Sequence, residues 1–199
     1  MIEKSRIIVS RIFAGFLFFL VCFSNSQWEA KAPMVASILL FLGAVLVGIA
    51  SIGRLWCSVY IAGYKTGSLV TQGPYSMCRN PLYFFSLLGA IGVGLASETF
   101  LIPLLILIAF TAYYPFVIKS EEEEMIKIHK SNFETYLKNV PSFFPKISLL
   151  NEPAQYTVKP IIFRQHMFDT LFFIWLFGLL AVIQELHESK LIPLLFNIY

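Results

Sequence analysis

The sequence predicts an all-α, polytopic integral membrane protein with about five transmembrane helices. Of its 199 residues, 57% are hydrophobic and only 14% are charged, whereas soluble domains carry about 25% charged residues. Residues 34–53 and 99–118 are two runs of 20 residues without a charge, and a helix of that length crosses the hydrocarbon core of a bilayer. This composition excludes a soluble globular domain and a disordered chain.

Three further apolar runs complete the predicted set of spans: residues 7–23, 82–96 and 167–184. The first contains Arg11, whose long side chain can reach the membrane interface. The run 82–96 ends just before 99–118 begins, so we expect residues 82–118 to form a tight helical hairpin. The tail 191–199 is too short to span the membrane, and we expect it to lie at the interface.

The N-terminal region also has features of a secretory signal peptide. A basic start, an apolar stretch and the sequence Ala30-Lys31-Ala32 are typical of such a peptide. Pro33 follows the two alanines directly and disfavours cleavage at that point. We therefore expect the first helix to be retained and residues 1–199 to form a single domain.

The positions of lysine and arginine predict the orientation in the membrane. With the N-terminus in the cytoplasm, 13 of the 15 basic residues fall on that side, in the N-terminal tail, the loop 54–80 and the segment 119–166. Only Lys31 and Lys190 fall on the opposite side. Because loops rich in positive charge stay in the cytoplasm, both long polar segments are predicted to be cytoplasmic.

Several other classes of function find no support in the sequence. The net charge of +3 is not gathered into a basic stripe, so no nucleic-acid partner is expected. Three widely spaced cysteines suggest neither a disulfide framework nor a metal cage. His166 and Asp169 share a helical face, but a metal site normally needs three or more ligands, so no metal is expected. The predicted spans contain almost no ionisable groups, which argues against ion translocation.

The first group of chemically interesting residues lies just before the predicted hairpin. Gly73-Pro74 predicts a turn, and Asn80-Pro81 predicts a helix start, since these residue types are favoured at the N-cap and the first helical position. The free N–H groups of such a helix start, together with Arg79, can hold a carboxylate or a phosphate. A purely structural interpretation, a capped helix with interfacial anchor residues, accounts for the same pattern.

The second group is the run of four glutamates at 121–124, which Ser120 precedes. Four adjacent like charges are normally solvated, and Ser120 with Glu123 also fits a capping box that begins a new helix. A functional hypothesis follows from the hairpin, because both of its cytoplasmic ends lie at the same level. The hairpin brings the acidic run to the same membrane face as Arg79 and Asn80, around a shared cavity.

Residues 133–140 predict a short amphipathic helix beyond the hairpin. Phe133, Tyr136, Leu137 and Val140 recur at helical spacing and share one face. Such a helix either lies in the membrane interface or covers the cavity as a lid, and the sequence leaves both interpretations open. Four prolines mark residues 140–160 as an irregular connecting stretch.

These residues resemble the signature of the isoprenylcysteine carboxyl methyltransferase family, whose broader group includes membrane phospholipid methyltransferases. The first block of matching residues is Leu69-Val70-Thr71, Gly73-Pro74-Tyr75, Arg79-Asn80-Pro81 and Tyr83. The second block is Glu121-Glu122, Met125, Tyr136 and Val140-Pro141, before Pro145. Two blocks in this order across a hairpin, within residues 65–145, are more specific than either block alone. Residues 161–199 add a helix and a tail outside this motif region.

The resemblance implies an S-adenosyl-L-methionine-dependent methyltransferase embedded in the membrane, with a cytoplasmic cofactor pocket closed by the hairpin. The cofactor-binding residues that it implies are Leu69, Val70, Tyr75, Asn80, Pro81, Leu82, Tyr83, Glu121 and Glu122. Arg79 is the implied catalytic residue, which orients a carboxylate or a phosphate. The implied partners are membrane lipids and a lipophilic small-molecule or lipidated acceptor that enters from the bilayer, and the implied location is a bacterial inner membrane.

Three positions depart from the eukaryotic pattern of the family. The His that commonly follows the motif Arg is Asn80, as in bacterial members, and the His expected two residues before Leu69 is Gly67. The Arg expected four residues before the first motif Glu, and implicated in acceptor recognition, is Val117. These changes affect recognition of a prenylated cysteine more than they affect cofactor binding.

The implied reaction is an in-line displacement at the methyl group of a sulfonium, with an isoprenylcysteine-like carboxylate as the acceptor. A carboxylate or thiolate acceptor needs no general base, whereas an amine must lose a proton. Two alternatives stay open at this point. One is a phospholipid amine or a small lipophilic thiol as the acceptor, and the other is a non-enzymatic membrane scaffold or small transporter.

Overall fold

The computed structural model describes residues 12, 15–64, 67–189, 191, 193 and 195–198. The beginning of the predicted first span therefore lies outside the described residues. The same holds for five of the basic residues that predicted the orientation: Lys4, Arg6, Arg11, Lys65 and Lys190.

The described chain is mainly helical. Its elements in chain order are α1 (helical over 15–23), β1 (Ser24–Ser26), α2 (Gln27–Lys31), α3 (Pro33–Ile61), α4 (Pro74–Met77), α5 (Pro81–Leu95), α6 (Leu101–His129), α7 (Ser131–Asn139), a 3-10 helix (Ile147–Leu149), α8 (Pro160–Thr170), α9 (Phe172–Glu188) and β2 (Phe196–Ile198). The predicted all-α membrane architecture is confirmed, with one short pair of strands added to it.

Three described segments are long and apolar enough to cross a membrane: Pro33–Ile61, Leu101–His129 and Pro160–His187. The last is α8 followed by α9, with a turn at Leu171 between them. Helix α5 is apolar but has only 15 residues, which corresponds to about 22 Å of helix. Ile52, Phe116 and Trp175 are 72%, 73% and 74% exposed, as expected for side chains that face lipid.

Helix α3 packs most extensively against α5, and glycines allow this close approach. A Cβ atom on Gly43 would lie 2.6 Å from the carbonyl oxygen of Gly92, and a Cβ atom on Gly92 would lie 2.8 Å from the carbonyl oxygen of Gly43. Further along α3, a Cβ atom on Gly53 would meet the ring of Phe85. Small residues at a helix crossing are the usual means of close packing in membranes.

The predicted hairpin is confirmed, because α5 and α6 follow one another and pack together. Helix α6 continues without interruption from Leu101 to His129, through the acidic run. The predicted capping box at Ser120 is therefore wrong, since no helix begins there. A continuous helix instead carries the glutamates beyond the apolar part of the hairpin. It ends at His129, and the next residue, Lys130, has a φ of 48°.

Residues 140–160 are irregular, as predicted, apart from the 3-10 helix. This stretch folds back onto α3, where Glu152 accepts hydrogen bonds from Trp56 Nε1 at 3.0 Å and from Tyr60 at 3.2 Å. The hydroxyl of Tyr156 donates to the carbonyl oxygen of Tyr60 at 2.8 Å. The irregular stretch 140–160 is thereby attached to α3.

The C-terminal tail forms more structure than the sequence predicts. Strand β2 pairs in parallel with β1, with Ser24 opposite Phe196 and Ser26 opposite Ile198. The pairing joins the segment after α1 to the tail, and the expected position of the tail at the membrane interface stays a prediction.

We predict that Gly43→Ala destabilises the protein. The added Cβ would meet the backbone of α5, which cannot move as a side chain does, and overpacking of this kind costs about 1–3 kcal/mol. The matched control is Gly48→Ala in the same helix, where nothing lies within 4 Å of the added Cβ. Thermal unfolding of the purified protein in detergent should show a lower melting temperature for Gly43→Ala alone, and equal melting temperatures would contradict the prediction.

Candidate functional site

The turn before α5 requires glycine. Gly73 has φ +60°, a backbone conformation that side chains with a Cβ rarely adopt. A Cβ atom at this position would lie 2.3 Å from Cε2 of Tyr60. The N–H of Gly73 donates to the carbonyl oxygen of Asn151 at 2.9 Å. The predicted turn at Gly73-Pro74 is confirmed, and it packs directly against α3 and the irregular stretch 140–160.

The turn leads into α4, all of whose residues are buried. Burial raises the pKa of the Tyr75 hydroxyl well above its usual value and raises the pKa of the Cys78 thiol to about 12. Both groups therefore stay protonated near neutral pH, so Cys78 is not a thiolate nucleophile. The Tyr75 hydroxyl is buried without a hydrogen-bond partner.

Arg79 joins three parts of the chain. Its Nε donates to Glu122 at 2.8 Å, which forms a largely buried ion pair between the start of α5 and α6. Its Nη1 donates to the carbonyl oxygens of Leu137, at 3.0 Å, and of Val140. The backbone N–H of Arg79 donates to the carbonyl oxygen of Pro141 at 2.9 Å. These contacts hold α7 and the segment after it against the start of α5.

Asn80 occupies the predicted N-cap position of α5, but its side chain does not cap the helix. The Asn80 Nδ2 instead donates to the carbonyl oxygen of Ser142 at 3.0 Å and to Glu122 at 3.4 Å. The prediction of the helix start is thus confirmed and the prediction of side-chain capping is wrong. Tertiary acceptors compete successfully for the amide because the segment after α7 lies directly over it.

One turn into α5, Tyr83 meets the other glutamate of the pair. Its hydroxyl donates to Glu121 at 2.7 Å. The Tyr83 ring lies edge-on to Tyr114 of α6, with 5.1 Å between the ring centroids, and Tyr114 stacks on Phe110 at 3.8 Å. The carboxylate therefore lies beside a group of aromatic rings that continues down α6 into the hairpin.

The two motif blocks converge as predicted. We name Arg79, Asn80, Tyr83, Glu121 and Glu122 together the motif site. Glu121 and Glu122 are half-buried within it, whereas the other two glutamates of the run are exposed. The structure tests this placement only, and the binding roles of these residues stay predictions.

The other predicted cofactor-binding residues lie in a separate, apolar environment. Val70, Tyr75 and Leu82 belong to a cluster around Cys57 and Tyr60 of α3. Of the remaining two residues, Pro81 is fully buried at the start of α5. Leu69 is half-buried and directly precedes Val70 in the sequence. This group therefore supports the motif site from the α3 side.

The predicted amphipathic helix is α7, and its apolar face is buried through Phe133 and Tyr136. The Tyr136 hydroxyl donates to the carbonyl oxygen of Tyr75 at 2.6 Å, and burial raises the pKa of Tyr136. Together with the bonds of Arg79, this contact attaches α7 to the corner formed by α4 and α5. The structure thus places α7 over the motif site.

The sequence prediction missed Arg54. We expected the second apolar run to end at residue 53 and a loop to begin at residue 54, and the expected start of the loop is wrong. Helix α3 runs on to Ile61, so Arg54 lies inside it, where it donates from Nη1 to Ser86 Oγ of α5. Its guanidinium lies 5.5 Å from the ring centroid of Phe173 in α9. The apolar residues from Leu55 onward were the available signal that the helix continues.

The pair His166 and Asp169 forms a contact of 3.6 Å on an exposed surface of α8. Over the residues that the structure describes, no group of three or more His, Cys, Asp or Glu side chains is arranged to hold a metal ion.

Comparison with known proteins agrees with the motif analysis. Residues 32–132, which include α3, the hairpin and the motif site, match the phospholipid methyltransferase family. The chain is 36% identical over 184 residues to the cobalt-zinc-cadmium resistance protein CzcN of Cupriavidus metallidurans, covering 92% of this chain and 82% of that protein. It is 31% identical over 192 residues to the nickel-cobalt-cadmium resistance protein NccN of Alcaligenes xylosoxydans xylosoxydans, covering 96% and 89%. No solved structure matches the chain.

The family match covers half of the chain, and both relatives are similar over most of their length. The matched region contains Arg79, Asn80, Tyr83 and the paired glutamates, the residues that the fold brings together. The chain therefore belongs to the phospholipid methyltransferase family, the broader group that its motif residues resemble.

Proposed function

We propose that this protein is an S-adenosylmethionine-dependent methyltransferase that acts on a lipophilic acceptor at the cytoplasmic face of the membrane. The observation that carries the proposal is the convergence of Arg79, Tyr83, Glu121 and Glu122 at one end of the hairpin. Family membership supports the reaction class, and the excess of basic residues in the polar segments supports the cytoplasmic orientation.

The residues of the motif site fit the proposed cofactor. Glu121 is half-buried and accepts one hydrogen bond from Tyr83 at 2.7 Å, so its carboxylate can still accept hydrogen bonds from ribose hydroxyls or an ammonium group. The neighbouring rings of Tyr114 and Phe110 offer aromatic surface. Aromatic faces attract organic cations such as a sulfonium.

When bound, the cofactor supplies a methyl group on a cationic sulfur. The chemistry that it would supply is transfer of this methyl group to a nucleophilic atom of the acceptor, with the electron pair of the carbon–sulfur bond left on sulfur. Glu121 and Tyr83 bind and orient the donor. Arg79 and Asn80 position α7 and the segment after it over the site, which excludes water. Positioning of this kind supplies most of the catalysis in such a displacement.

Two buried groups near the site are excluded as general bases. Tyr75 and Cys78 both hold their protons because burial raises their pKa values. Neither group can take a proton from an amine at neutral pH. We propose a carboxylate, as in an isoprenylcysteine-like acceptor, or a lipophilic thiolate, neither of which needs a base, and a phospholipid amine is the alternative acceptor.

The names of the relatives suggest a physiological context. CzcN and NccN are named for resistance to cobalt, zinc, nickel and cadmium. We propose that methylation of a membrane component by this chain contributes to tolerance of such metals.

We predict that Glu121→Gln and Tyr83→Ala weaken binding of S-adenosylmethionine by at least about tenfold, the usual effect of losing a hydrogen bond to a charged group. The matched control is Glu124→Gln, which removes the same charge from the exposed part of the acidic run. Isothermal titration calorimetry on purified protein measures the three affinities. Unchanged binding in both site variants would refute the motif site as the donor site, and no binding by the wild type would favour a non-enzymatic scaffold.

We predict that the methylated product is an ester. Purified protein, membrane lipid extracts and a radiolabelled methyl donor should yield a lipid-soluble label that alkali releases as methanol, because methyl esters hydrolyse in alkali. Label that survives alkali identifies an amine or thiol acceptor instead. The Glu121→Gln variant should give no label in either case.

We predict that Arg79→Lys loosens α7 from the hairpin. A lysine ammonium cannot reproduce the planar set of bonds to Glu122, Leu137 and Val140. Limited proteolysis should cut this variant faster within residues 130–146 than it cuts the wild type. Arg164→Lys, at an exposed position on α8, is the control and should show the wild-type rate.

A further inference from the structure

We propose that Arg54 binds the anionic group of the acceptor, a carboxylate or a phosphate, inside the membrane-spanning bundle. The inference rests on the proposed function, because it names the chemical class of the acceptor in that reaction. It assigns to α3 a specificity-determining residue outside the two motif blocks.

Arg54 is a cation inside a membrane-spanning helix. Among the described residues, the ion pairs are Arg79–Glu122 and His166–Asp169, so no carboxylate of the described chain lies within ion-pair distance of Arg54. Charged groups in membrane spans are costly, and they are normally paired or serve a function. Its described contacts are a serine hydroxyl and the ring of Phe173, so the guanidinium forms no ion pair within the described chain and can still pair with an anionic ligand.

The hydrogen bonds of Arg54 are also incomplete. Its Nη1 donates to Ser86 Oγ, but its Nε is buried and has no hydrogen-bond partner among the residues that the structure describes. The Ser86 hydroxyl donates its own hydrogen bond to the carbonyl oxygen of Leu82 at 2.6 Å, so toward the guanidinium it acts only as an acceptor. A buried donor without an acceptor costs free energy. A carboxylate or phosphate oxygen would satisfy the Nε and would neutralise the charge at the same time.

A second unpartnered donor belongs to the same region. The Tyr75 hydroxyl is buried without a hydrogen-bond partner. Tyr75 packs in one cluster with Cys57, three residues after Arg54 on α3, and with Phe85, next to Ser86 on α5. A tyrosine hydroxyl can donate to an anion. Together with the guanidinium, it offers hydrogen-bond donors to an anionic ligand on this side of α3.

Arg54 lies at the right depth to present an acceptor to the motif site. Its partner Ser86 follows Tyr83 by three residues on α5, so the two side chains share a face of the helix about 4.5 Å apart along its axis. Tyr83 is bonded to Glu121. An anion held by Arg54 therefore lies about one helical turn further into the membrane than the proposed donor-binding bond.

Arg54 is only half-buried, so its side chain is not fully enclosed by the bundle. The helices on either side of it carry lipid-facing side chains on their outer surfaces, such as Ile52 of α3 and Phe172 of α9, which are 72% and 55% exposed. In the proposed arrangement, the acceptor keeps its apolar chain against these outer surfaces and its anionic group beside Arg54.

The test uses the full chain in nanodiscs of phosphatidylcholine and three amphiphiles with the same alkyl chain: dodecanoate, dodecyl phosphate and dodecanol. Calorimetric titration, corrected with empty nanodiscs, measures binding to the wild type and to Arg54→Gln. We expect the wild type to bind one or both anions in preference to dodecanol, and the variant to bind them at least about tenfold more weakly. The preferred anion distinguishes a carboxylate acceptor from a phosphate acceptor.

The control for the loss of charge is Arg164→Gln, at an exposed position on α8, which should bind like the wild type. If Arg54 were only structural, its replacement would weaken binding of all three amphiphiles alike. Arg54→Leu also removes the charge, suits a membrane span, and covers the case in which Arg54→Gln does not fold. Wild-type discrimination between anions and dodecanol in whichever Arg54 variants fold would overturn the inference.

A separate measurement distinguishes failure of this inference from failure of the proposed function. The same samples are titrated with S-adenosylhomocysteine, which probes the motif site and not Arg54. Arg54-dependent anion binding without any binding of S-adenosylhomocysteine would leave the anion site standing and refute the methyltransferase proposal. Binding of S-adenosylhomocysteine without anion discrimination would leave the methyltransferase proposal standing and refute the anion site at Arg54.

Discussion

The ion pair between Arg79 and Glu122 is the interaction on which the arrangement of the motif site depends. The two side chains are only 13% and 20% exposed, so water and salt screen their attraction weakly. The pair connects the entrance of α5 to α6 across the open end of the hairpin. Because Arg79 also binds two carbonyl oxygens beyond the hairpin, the same guanidinium fixes α7. Removal of either charge would leave the other one partly buried and unpaired.

The continuity of α6 explains how adjacent glutamates take different roles. Successive residues on a helix point about 100° apart. Glu121 therefore turns toward Tyr83 and Glu122 toward Arg79, while the next two residues of the run face solvent. If a new helix had begun at Ser120, the directions of the glutamate side chains would not have been fixed relative to α5. The acidic run is thus an ordered extension of a membrane span, and only its first two members are part of the site.

Local patterns in the sequence predicted most of the helices. Contacts between residues far apart in the sequence determine the position of Arg54 and the pairing of the two strands. Uncharged runs predicted α3 and α6, and the two motif blocks predicted that Arg79 would meet the glutamates. The position of Arg54 was missed because a charge was taken as the end of a span, whereas the cost of that charge is offset by contacts with α5 and α9. The pairing of β1 with β2 joins residues from opposite ends of the chain, and no local pattern encodes it.

In the proposed function, the donor-binding part of the site is separate from the acceptor-binding part. The Tyr83–Glu121 bond belongs to the motif blocks on which the family resemblance rests. One turn deeper along α6 is Val117, a buried apolar residue at the position where the resemblance implies an Arg for the acceptor. One turn deeper along α5 is Ser86, the partner of Arg54. The proposed acceptor cation on α3 therefore stands at the depth where the resemblance implies one on α6.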